Sequence, residues 1–185
     1  VTLMSRTLLY GGSFDPPHIA HIDIPRFAME FLQFDHVLYI PVFQSPLKNN
    51  YSTDSHHRLA MLKLALADCP WASISTIELD RGGTSYTIDT IEELQNKYDE
   101  LRLLIGADQW AQFKQWYRWE DILKLANPAI MPRDGFEESD ERILPIKPIT
   151  TGSTDIRRLV QSGESIDKLV LPTVAQYIAE HQLYL

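Results

Sequence analysis

The sequence predicts one α/β domain built on a doubly wound, Rossmann-like parallel sheet flanked by helices. Short apolar runs alternate with amphipathic segments along most of the chain, which is typical of parallel strands joined by crossover helices. A length of 185 residues allows a sizeable core but is too short for two independent domains. We therefore treat residues 1–185 as a single domain.

The predicted strands are short apolar runs that end at turn-forming residues. The run T-L-L-Y at 7–10 precedes Gly11, and the run L-R-L-L-I at 101–105 precedes Gly106. Each is therefore expected to be a buried strand followed by a turn. In chain order, we predict strands at 7–10, 37–41, 74–79, 101–105, 128–131 and 143–149.

The predicted helices are segments in which apolar residues recur every three or four positions. Leu59 and Leu62 have this spacing, and Asp54 or Ser55 precedes them as a candidate N-cap. Pro25 falls inside the first predicted helix, where we expect a kink. The C-terminal part, about residues 150–185, is expected to be helical. In chain order, we predict helices at 18–32, 55–67, 87–98 and 119–126, and further helices after Ser153 and after Pro172.

The composition restricts the classes of function. A net charge of −8 disfavours a surface for long nucleic acids, which depends on many Lys and Arg contacts to phosphates, but it allows a small anionic ligand. Cys69 is the only cysteine, which excludes an internal disulfide and a thiolate zinc cluster. We find no secretory signal and no apolar stretch of membrane-spanning length, so we expect a cytoplasmic protein without a membrane partner. A homo-oligomer is compatible with the sequence.

Residues 10–21 read Y-G-G-S-F-D-P-P-H-I-A-H and directly follow the first predicted strand. Gly11 and Gly12 allow a sharp turn and a close approach to a ligand, because neither has a β-carbon. His18 and His21 lie one helical turn apart at the start of the next helix, where free amides favour an anion. The pattern matches neither of the two best-known glycine-rich phosphate loops. From these residues alone, polyphosphate contacts, a zinc pair without its other ligands, and two structural histidines all stay open.

A second motif, T-G-S-T-D-I-R-R-L-V at 151–160, follows the last predicted strand. It places Ser153 and Thr154 at a helix start and Arg157 and Arg158 in the first turns. One interpretation is a helix N-cap with surface arginines. The other is a second phosphate cradle, in which hydroxyls, amides and a guanidinium bind terminal phosphates.

Ligands of doubly wound sheets bind beyond the carboxyl ends of the strands, where the strand order reverses. A candidate site is therefore assembled from the segments that follow the strands. These segments are 11–21, 44–48, 82–87, 106–110 and 151–157.

Taken together, the motifs resemble the nucleotidylyltransferase superfamily, whose members share a G-x-F-D-P-x-H-x-G-H loop and a late I-S-S-T-x-I-R helix start. From about residue 8 to residue 185 the chain is more specifically similar to the bacterial nicotinate-nucleotide adenylyltransferase family. The supporting stretches are S-Y-T-I-D-T at 85–90, I-G-A-D at 105–108, W-Y at 116–117, M-P-R at 131–133 and the closing Y-I and L-Y pairs at 177–178 and 183–184.

The chain departs from the family pattern at three places. Ala20 stands where the family usually has glycine before the second histidine, which narrows the backbone space slightly. Leu47 replaces the histidine of a P-P-H-K segment, so only Lys48 carries over from it. Thr151 and Gly152 replace the usual I-S, which weakens one hydroxyl contact. These departures leave room for a different substrate preference.

The resemblance implies that AMP is transferred from ATP to nicotinate mononucleotide, giving nicotinate adenine dinucleotide and pyrophosphate in NAD biosynthesis. It implies no metal bound by protein side chains, with Mg²⁺ carried on the ATP phosphates. The implied catalytic residues are His18, His21 and Arg157. The implied ATP-binding residues are Gly11, Gly12, Ser13, Phe14, His18, His21, Gly106, Asp108, Ser153, Thr154 and Arg157. The implied mononucleotide-binding residues are Lys48, Tyr86, Thr87, Trp116, Tyr117 and Arg133.

Three other functions stay open from the sequence. One is another transferase of the superfamily, specific for nicotinamide mononucleotide or for phosphopantetheine. The second is a nucleotide-binding module without turnover, against which the intact His18, His21, Ser153 and Arg157 count. The third is a zinc-stabilised structural domain.

Overall fold

The computed structural model describes residues 5–47, 51–136, 140–148 and 150–185. In this part of the chain a 3-10 turn lies at Phe113–Gln115. The strands are β1 (Arg6–Gly12), β2 (His36–Pro41), β3 (Ala72–Ile74), β4 (Glu100–Gly106) and β5 (Ala129–Met131). The helices are α1 (Ala20–Leu32), α2 (Ser55–Ala65), α3 (Ile77–Arg81), α4 (Thr87–Leu94), α5 (Ala107–Trp110), α6 (Trp119–Ala126), α7 (Ser153–Gln161) and α8 (Pro172–Glu180).

The strands form one parallel sheet in the order β3-β2-β1-β4-β5. The chain runs outward from β1 through β2 to β3, then returns to place β4 on the other side of β1. The strand order therefore reverses between β1 and β4, which confirms the predicted doubly wound fold. A crevice for ligands is expected beyond the carboxyl ends of these two strands.

Helices cover both faces of the sheet because alternate side chains of each strand point to opposite faces. Leu8 of β1 packs in one cluster with Ala28 of α1 and Leu62 of α2. Leu9, the next residue, packs in a second cluster with Ile91 of α4 and others from α6. Strands buried on both faces read as continuous apolar runs, which is the pattern found at 7–10 and 101–105.

A third apolar cluster joins the C-terminal helices to α2. Met61 of α2 packs with Ile156 of α7 and with Val174 and Ile178 of α8. Residues 153–180 therefore supply two helices that pack on one face of α2, and the start of α7 is brought back to the loop after β1.

Pro25 lies inside α1, which continues through it to Leu32. Proline has no N–H to donate to the carbonyl four residues earlier, which belongs to His21. The hydroxyl of Tyr39 on β2 donates to that carbonyl instead, at 2.7 Å. This contact supplies the missing donor and joins the histidine motif to the centre of the sheet.

Two predicted strands are wrong. The strand predicted at 74–79 ends at Ile74, and α3 follows, because a short apolar run such as I-S-T-I-E-L fits a helical period as well as a strand period. The strand predicted at 143–149 is reduced to a single bridge between Ile143 and Ile130. Pro145 and Pro148 have no N–H to continue a ladder, and residue 149 lies outside the described residues.

Several helix bounds also differ from prediction. α1 begins at Ala20 rather than at His18, α4 ends at Leu94, and the short α5 was not predicted. Among the described residues, no helix is long and apolar enough to cross a membrane.

Candidate active site

Two cavities lie at the carboxyl end of the sheet, beside the loop that follows β1. The first cavity has a volume of about 480 Å³ and is bordered by Gly11 to Ser13, Ser45 to Leu47, Ser85 to Thr87, Asp108 and Gln109, and Trp116 and Tyr117. The second cavity has a volume of about 290 Å³ and is bordered by His18 to Ala20, Ile24, Lys147 and Pro148, Thr150 and Thr151, Ile156, and Lys168 and Leu169.

The rings of His18 and His21 form a close, tilted pair at the start of α1. Their ring centroids are 3.7 Å apart with an interplanar angle of 32°. The backbone N–H of His18 donates to Nδ1 of His21 at 3.1 Å. Because Nδ1 accepts this bond, the neutral His21 ring carries its proton on Nε2.

His18 is only 5% exposed and lines the second cavity. Its pKa is lowered to about 4, first by burial and second by the positive charge of Arg133. The imidazole is therefore neutral at pH 7, and it can donate one hydrogen bond to a ligand without carrying a charge of its own.

Phe14 supports the histidine pair from the core side. Its side chain is 1% exposed, and its ring meets that of His21 edge-on with centroids 5.2 Å apart. Phe14 has a φ of 49°, and a β-carbon on Gly12 would lie 3.0 Å from its ring. A larger residue at position 12 would therefore have to displace the Phe14 ring slightly. The side chain of Phe14, predicted to bind ATP, is a packing group in this structure.

The N-terminus of α7 lies against the loop after β1. The hydroxyl of Ser153 donates to the carbonyl of Pro16 at 2.9 Å. Arg157 donates through Nη1 to the carbonyl of Asp15 at 2.7 Å and through Nη2 to the hydroxyl of Thr154 at 3.1 Å. The two predicted phosphate motifs, which are more than a hundred residues apart in sequence, are therefore in direct contact.

Asp108 and Arg133 lie beside Gly106 at the end of β4. Arg133 Nε and Asp108 Oδ1 are 3.3 Å apart, although their orientation does not make a hydrogen bond. A β-carbon on Gly106 would collide with Asp108 Oδ1, so glycine is required for this close approach. Gly152 lies beside the Arg133 guanidinium, which places this cation at the start of α7.

One wall of the first cavity is formed by the start of α4 and by the segment that follows the 3-10 turn. The rings of Tyr86 and Tyr117 have centroids 5.1 Å apart at its rim. Trp116 lines the cavity, and its Nε1 is buried without a hydrogen-bond partner among the described residues. Thr87 is the first residue of α4, so its amide belongs to the helix N-terminus, where anions are favoured.

The cavity also has polar lining residues that the sequence did not suggest. Glu78 of α3 is buried, and its Oε1 accepts a 2.8 Å hydrogen bond from the hydroxyl of Thr90. Burial raises the pKa of Glu78, while the Thr90 bond and the charge of Arg81 oppose that shift. Glu78 was missed because its segment was predicted to be a strand. Gln112 was missed because a polar residue in an unassigned turn gives no signal of its own.

The structure brings most of the predicted site residues together. The first cavity is lined by Gly11, Gly12, Ser13, Tyr86, Thr87, Asp108, Trp116 and Tyr117. His18, His21, Ser153, Thr154 and Arg157 lie along the loop after β1 and the facing end of α7. Arg133, predicted to bind the mononucleotide, lies next to Asp108 and Gly152 instead of lining the first cavity. Lys48 lies outside the described residues. Within them, no group of three or more His, Cys, Asp or Glu side chains could hold a metal ion.

Comparison with known proteins adds three findings. The cytidylyltransferase-like family model matches residues 9–159. A protein of Herpetosiphon aurantiacus named as a nicotinate-nucleotide adenylyltransferase is 39% identical, and the alignment covers 98% of this chain and all of that protein. A protein of the same name from Gemmatimonas aurantiaca is 35% identical over 95% of this chain and 90% of its own length.

Solved structures show the same fold. The nicotinic acid mononucleotide adenylyltransferase of Plasmodium falciparum, in complex with NaAD, superposes with a TM-score of 0.78 at 20% identity and covers 97% of both chains. The structure of that enzyme in complex with APC gives a TM-score of 0.79 at 19% identity, again over 97% of both chains.

Proposed function

The chain belongs to the nicotinate-nucleotide adenylyltransferase family, within the cytidylyltransferase-like group. We propose that it transfers AMP from ATP to nicotinate mononucleotide beside the segment from Gly11 to Ile19, which borders both cavities. The products are nicotinate adenine dinucleotide and pyrophosphate. The observation that carries the proposal is the first cavity, which is lined both by the indole of Trp116 and by Thr87 at the N-terminus of α4. Its volume is in the usual range for a small-molecule site.

The first cavity is proposed to hold the mononucleotide. The pyridine ring stacks on Trp116, and its carboxylate accepts the backbone N–H groups of Thr87 and Tyr117. A helix N-terminus stabilises an anion through its free amides and the helix dipole. A neutral carboxamide has a single acceptor oxygen and presents an N–H₂ group to these donors, so the site favours the acid over the amide.

ATP is proposed to lie along the loop after β1, with its base in the second cavity. That cavity has apolar walls from Ile19, Ala20, Ile24 and Pro148, which suit a flat ring. The α-phosphate is then beside His18 and His21. The β- and γ-phosphates extend to the start of α7, where hydroxyls, amides and the guanidinium of Arg157 bind them. ATP enters as its Mg²⁺ complex, since phosphate oxygens are the ligands that this ion prefers.

The proposed catalysis is alignment and charge stabilisation. The phosphate of the mononucleotide is already an ionised nucleophile, so it attacks the α-phosphorus without a general base. Negative charge grows on the oxygen that bridges the α- and β-phosphates as that bond breaks. The Nε2–H of His21, the His18 ring and Arg157 offset this charge. The hydrogen bond from the backbone N–H of His18 to Nδ1 of His21 holds the His21 ring in place before the reaction.

The proposal is tested by pyrophosphate release from MgATP with nicotinate mononucleotide, nicotinamide mononucleotide and phosphopantetheine in parallel. We expect turnover with nicotinate mononucleotide to exceed turnover with the other two acceptors by at least tenfold in kcat/KM. Preference for phosphopantetheine, or no pyrophosphate with any of the three, would contradict the proposal.

A further inference from the structure

Asp15 joins three distant parts of the chain to the loop after β1. Its side chain is 2% exposed. Oδ2 accepts the backbone N–H of Ser52 at 2.8 Å, and Oδ1 accepts the hydroxyl of Tyr184 at 2.6 Å. The backbone carbonyl of the same residue accepts Nη1 of Arg157 at 2.7 Å. A buried carboxylate needs such partners, because leaving one of its oxygens without a donor is costly.

Two of these contacts lead to different parts of the proposed site. Ser52 lies next to Tyr51, which lines the first cavity together with Ser45 to Leu47. Arg157 belongs to the helix end proposed to bind the leaving phosphates. Tyr184 lines neither cavity, but its hydroxyl is the donor to the second carboxylate oxygen of Asp15.

The chemistry of Tyr184 suits a permanent donor. Burial, followed by the hydrogen bond to Asp15, raises the pKa of the phenol well above its ordinary value. The hydroxyl therefore keeps its proton throughout the neutral range. A hydrogen bond from a neutral hydroxyl to an ionised oxygen is among the strong ones in proteins.

Arg58 is a second residue that links the loop after β1 to another part of the chain. Its guanidinium, 1% exposed, donates to the carbonyl of Ser13 at 2.8 Å and to that of Phe43 at 3.4 Å. It also lies 4.4 Å from the ring centre of Tyr51, whose hydroxyl accepts the N–H of Ser45. The loop after β1 is thus joined to Phe43 through Arg58 and to Ser52 through Asp15, and Tyr184 is the second donor to Asp15.

We propose that Tyr184 is a positioning residue for adenylyl transfer, acting through Asp15 to fix the loop after β1 relative to both substrate subsites. This inference rests on the proposed function. The reaction needs the attacking phosphate and the leaving phosphates in line, and the segment from Gly11 to Ile19 borders both cavities. Without the hydroxyl, the Asp15 side chain loses one of its two hydrogen-bond donors and the loop after β1 becomes more mobile. The substrates are then aligned less well for reaction, so kcat falls more than KM rises.

Tyr184→Phe tests the proposal, because it removes only the hydroxyl. Tyr177→Phe is the matched control, since it removes a hydroxyl that bonds to His57 Nδ1 at 2.8 Å and faces neither cavity. At a temperature well below both unfolding midpoints, we expect kcat of Tyr184→Phe to fall roughly tenfold while both KM values stay within about twofold. Tyr177→Phe should match wild type in kcat and KM. A kcat within twofold of wild type for Tyr184→Phe would overturn the proposal.

Asp15→Asn separates this role from general stability. If Tyr184 acts through Asp15, Tyr184→Phe should lower kcat much less in the Asp15→Asn enzyme than it does in wild type. If Tyr184→Phe lowers kcat by the same factor in wild type and in Asp15→Asn, Tyr184 does not act through Asp15.

Amide hydrogen exchange tests the positioning even if the proposed substrates are wrong. We expect the amides of residues 12–15 and 51–52 to exchange faster in Tyr184→Phe than in Tyr177→Phe. Lack of turnover by wild type with all three acceptors would overturn the proposed function, whereas unchanged exchange in these segments would overturn the role of Tyr184.

Discussion

The backbone N–H of His18 donates to Nδ1 of His21, so one histidine of the motif sets the proton position of the other. The bond places the proton of neutral His21 on Nε2 and leaves no acceptor at Nδ1 for a second donor. The two rings lie against each other at a tilt of 32°. This geometry is compatible with the proposed role of the two histidines as hydrogen-bond donors to a polyphosphate.

His21→Ala should lower kcat for adenylyl transfer by about 10²–10³, the scale for removing one preorganised donor. The measurement is pyrophosphate release at saturating MgATP and nicotinate mononucleotide. His36→Ala is the control, because His36 lies at the opposite end of the sheet and contacts Ser73 at 2.6 Å. A His21→Ala enzyme within a few-fold of wild type would remove His21 from the mechanism.

Trp116→Ala should raise KM for nicotinate mononucleotide about tenfold with little change in kcat, because a ring platform binds ground and transition states alike. Trp116→Phe keeps an aromatic face and should stay within about threefold of wild type. Steady-state kinetics at fixed MgATP measures both variants. Unchanged KM in Trp116→Ala would leave the indole as a packing partner of Phe113.

The buried His18 should make the folded state sensitive to acid. The pKa of His18 is about 4 in the folded state, whereas the ordinary value is 6.5. Between these two pH values His18 is therefore protonated in the unfolded chain but neutral in the folded protein. Stability is therefore lost as pH falls from 6.5 to 4 and levels off below 4. The loss is on the order of 3 kcal/mol for this group.

Urea unfolding of wild type and His18→Asn across this pH range isolates the contribution of His18. The free energy of unfolding of wild type should fall more steeply between pH 6.5 and 4 than that of His18→Asn. Parallel curves for the two proteins would show that His18 titrates with an ordinary pKa.

Arg58→Met should destabilise the fold by about 3 kcal/mol, because it leaves the carbonyls of Ser13 and Phe43 without this donor and removes a buried cation near Asp15. Arg26→Met is the matched control, since Arg26 is exposed and makes only a surface pair with Glu30. It should change stability by less than about 0.5 kcal/mol. Equal urea midpoints for the two variants would contradict the role assigned to Arg58.

The sequence predicted the parts of this molecule that local chemistry determines. The parallel sheet follows from apolar runs such as 101–105, and the two histidines of the motif lie together as their spacing predicts. Gly11 and Gly12, predicted to form a turn, are instead the last residues of β1. The two wrong strands have local causes, an ambiguous period at 74–79 and the prolines at 145 and 148. Contacts such as Tyr184 with Asp15 join residues 169 positions apart. They depend on the packing of α8, which local patterns do not specify.

The most direct test of the central claim is the ratio of kcat/KM for nicotinate mononucleotide to that for nicotinamide mononucleotide, measured in wild type, Thr87→Pro and Thr87→Ala. Thr87 is the first residue of α4, where proline is tolerated, so Thr87→Pro removes the N–H proposed to bind the carboxylate but keeps the helix. Thr87→Ala keeps that N–H. We expect the ratio to favour the acid in wild type and in Thr87→Ala, and to fall at least tenfold in Thr87→Pro. A ratio that is the same in all three proteins would contradict the claim that the backbone N–H at the N-terminus of α4 selects nicotinate mononucleotide over nicotinamide mononucleotide.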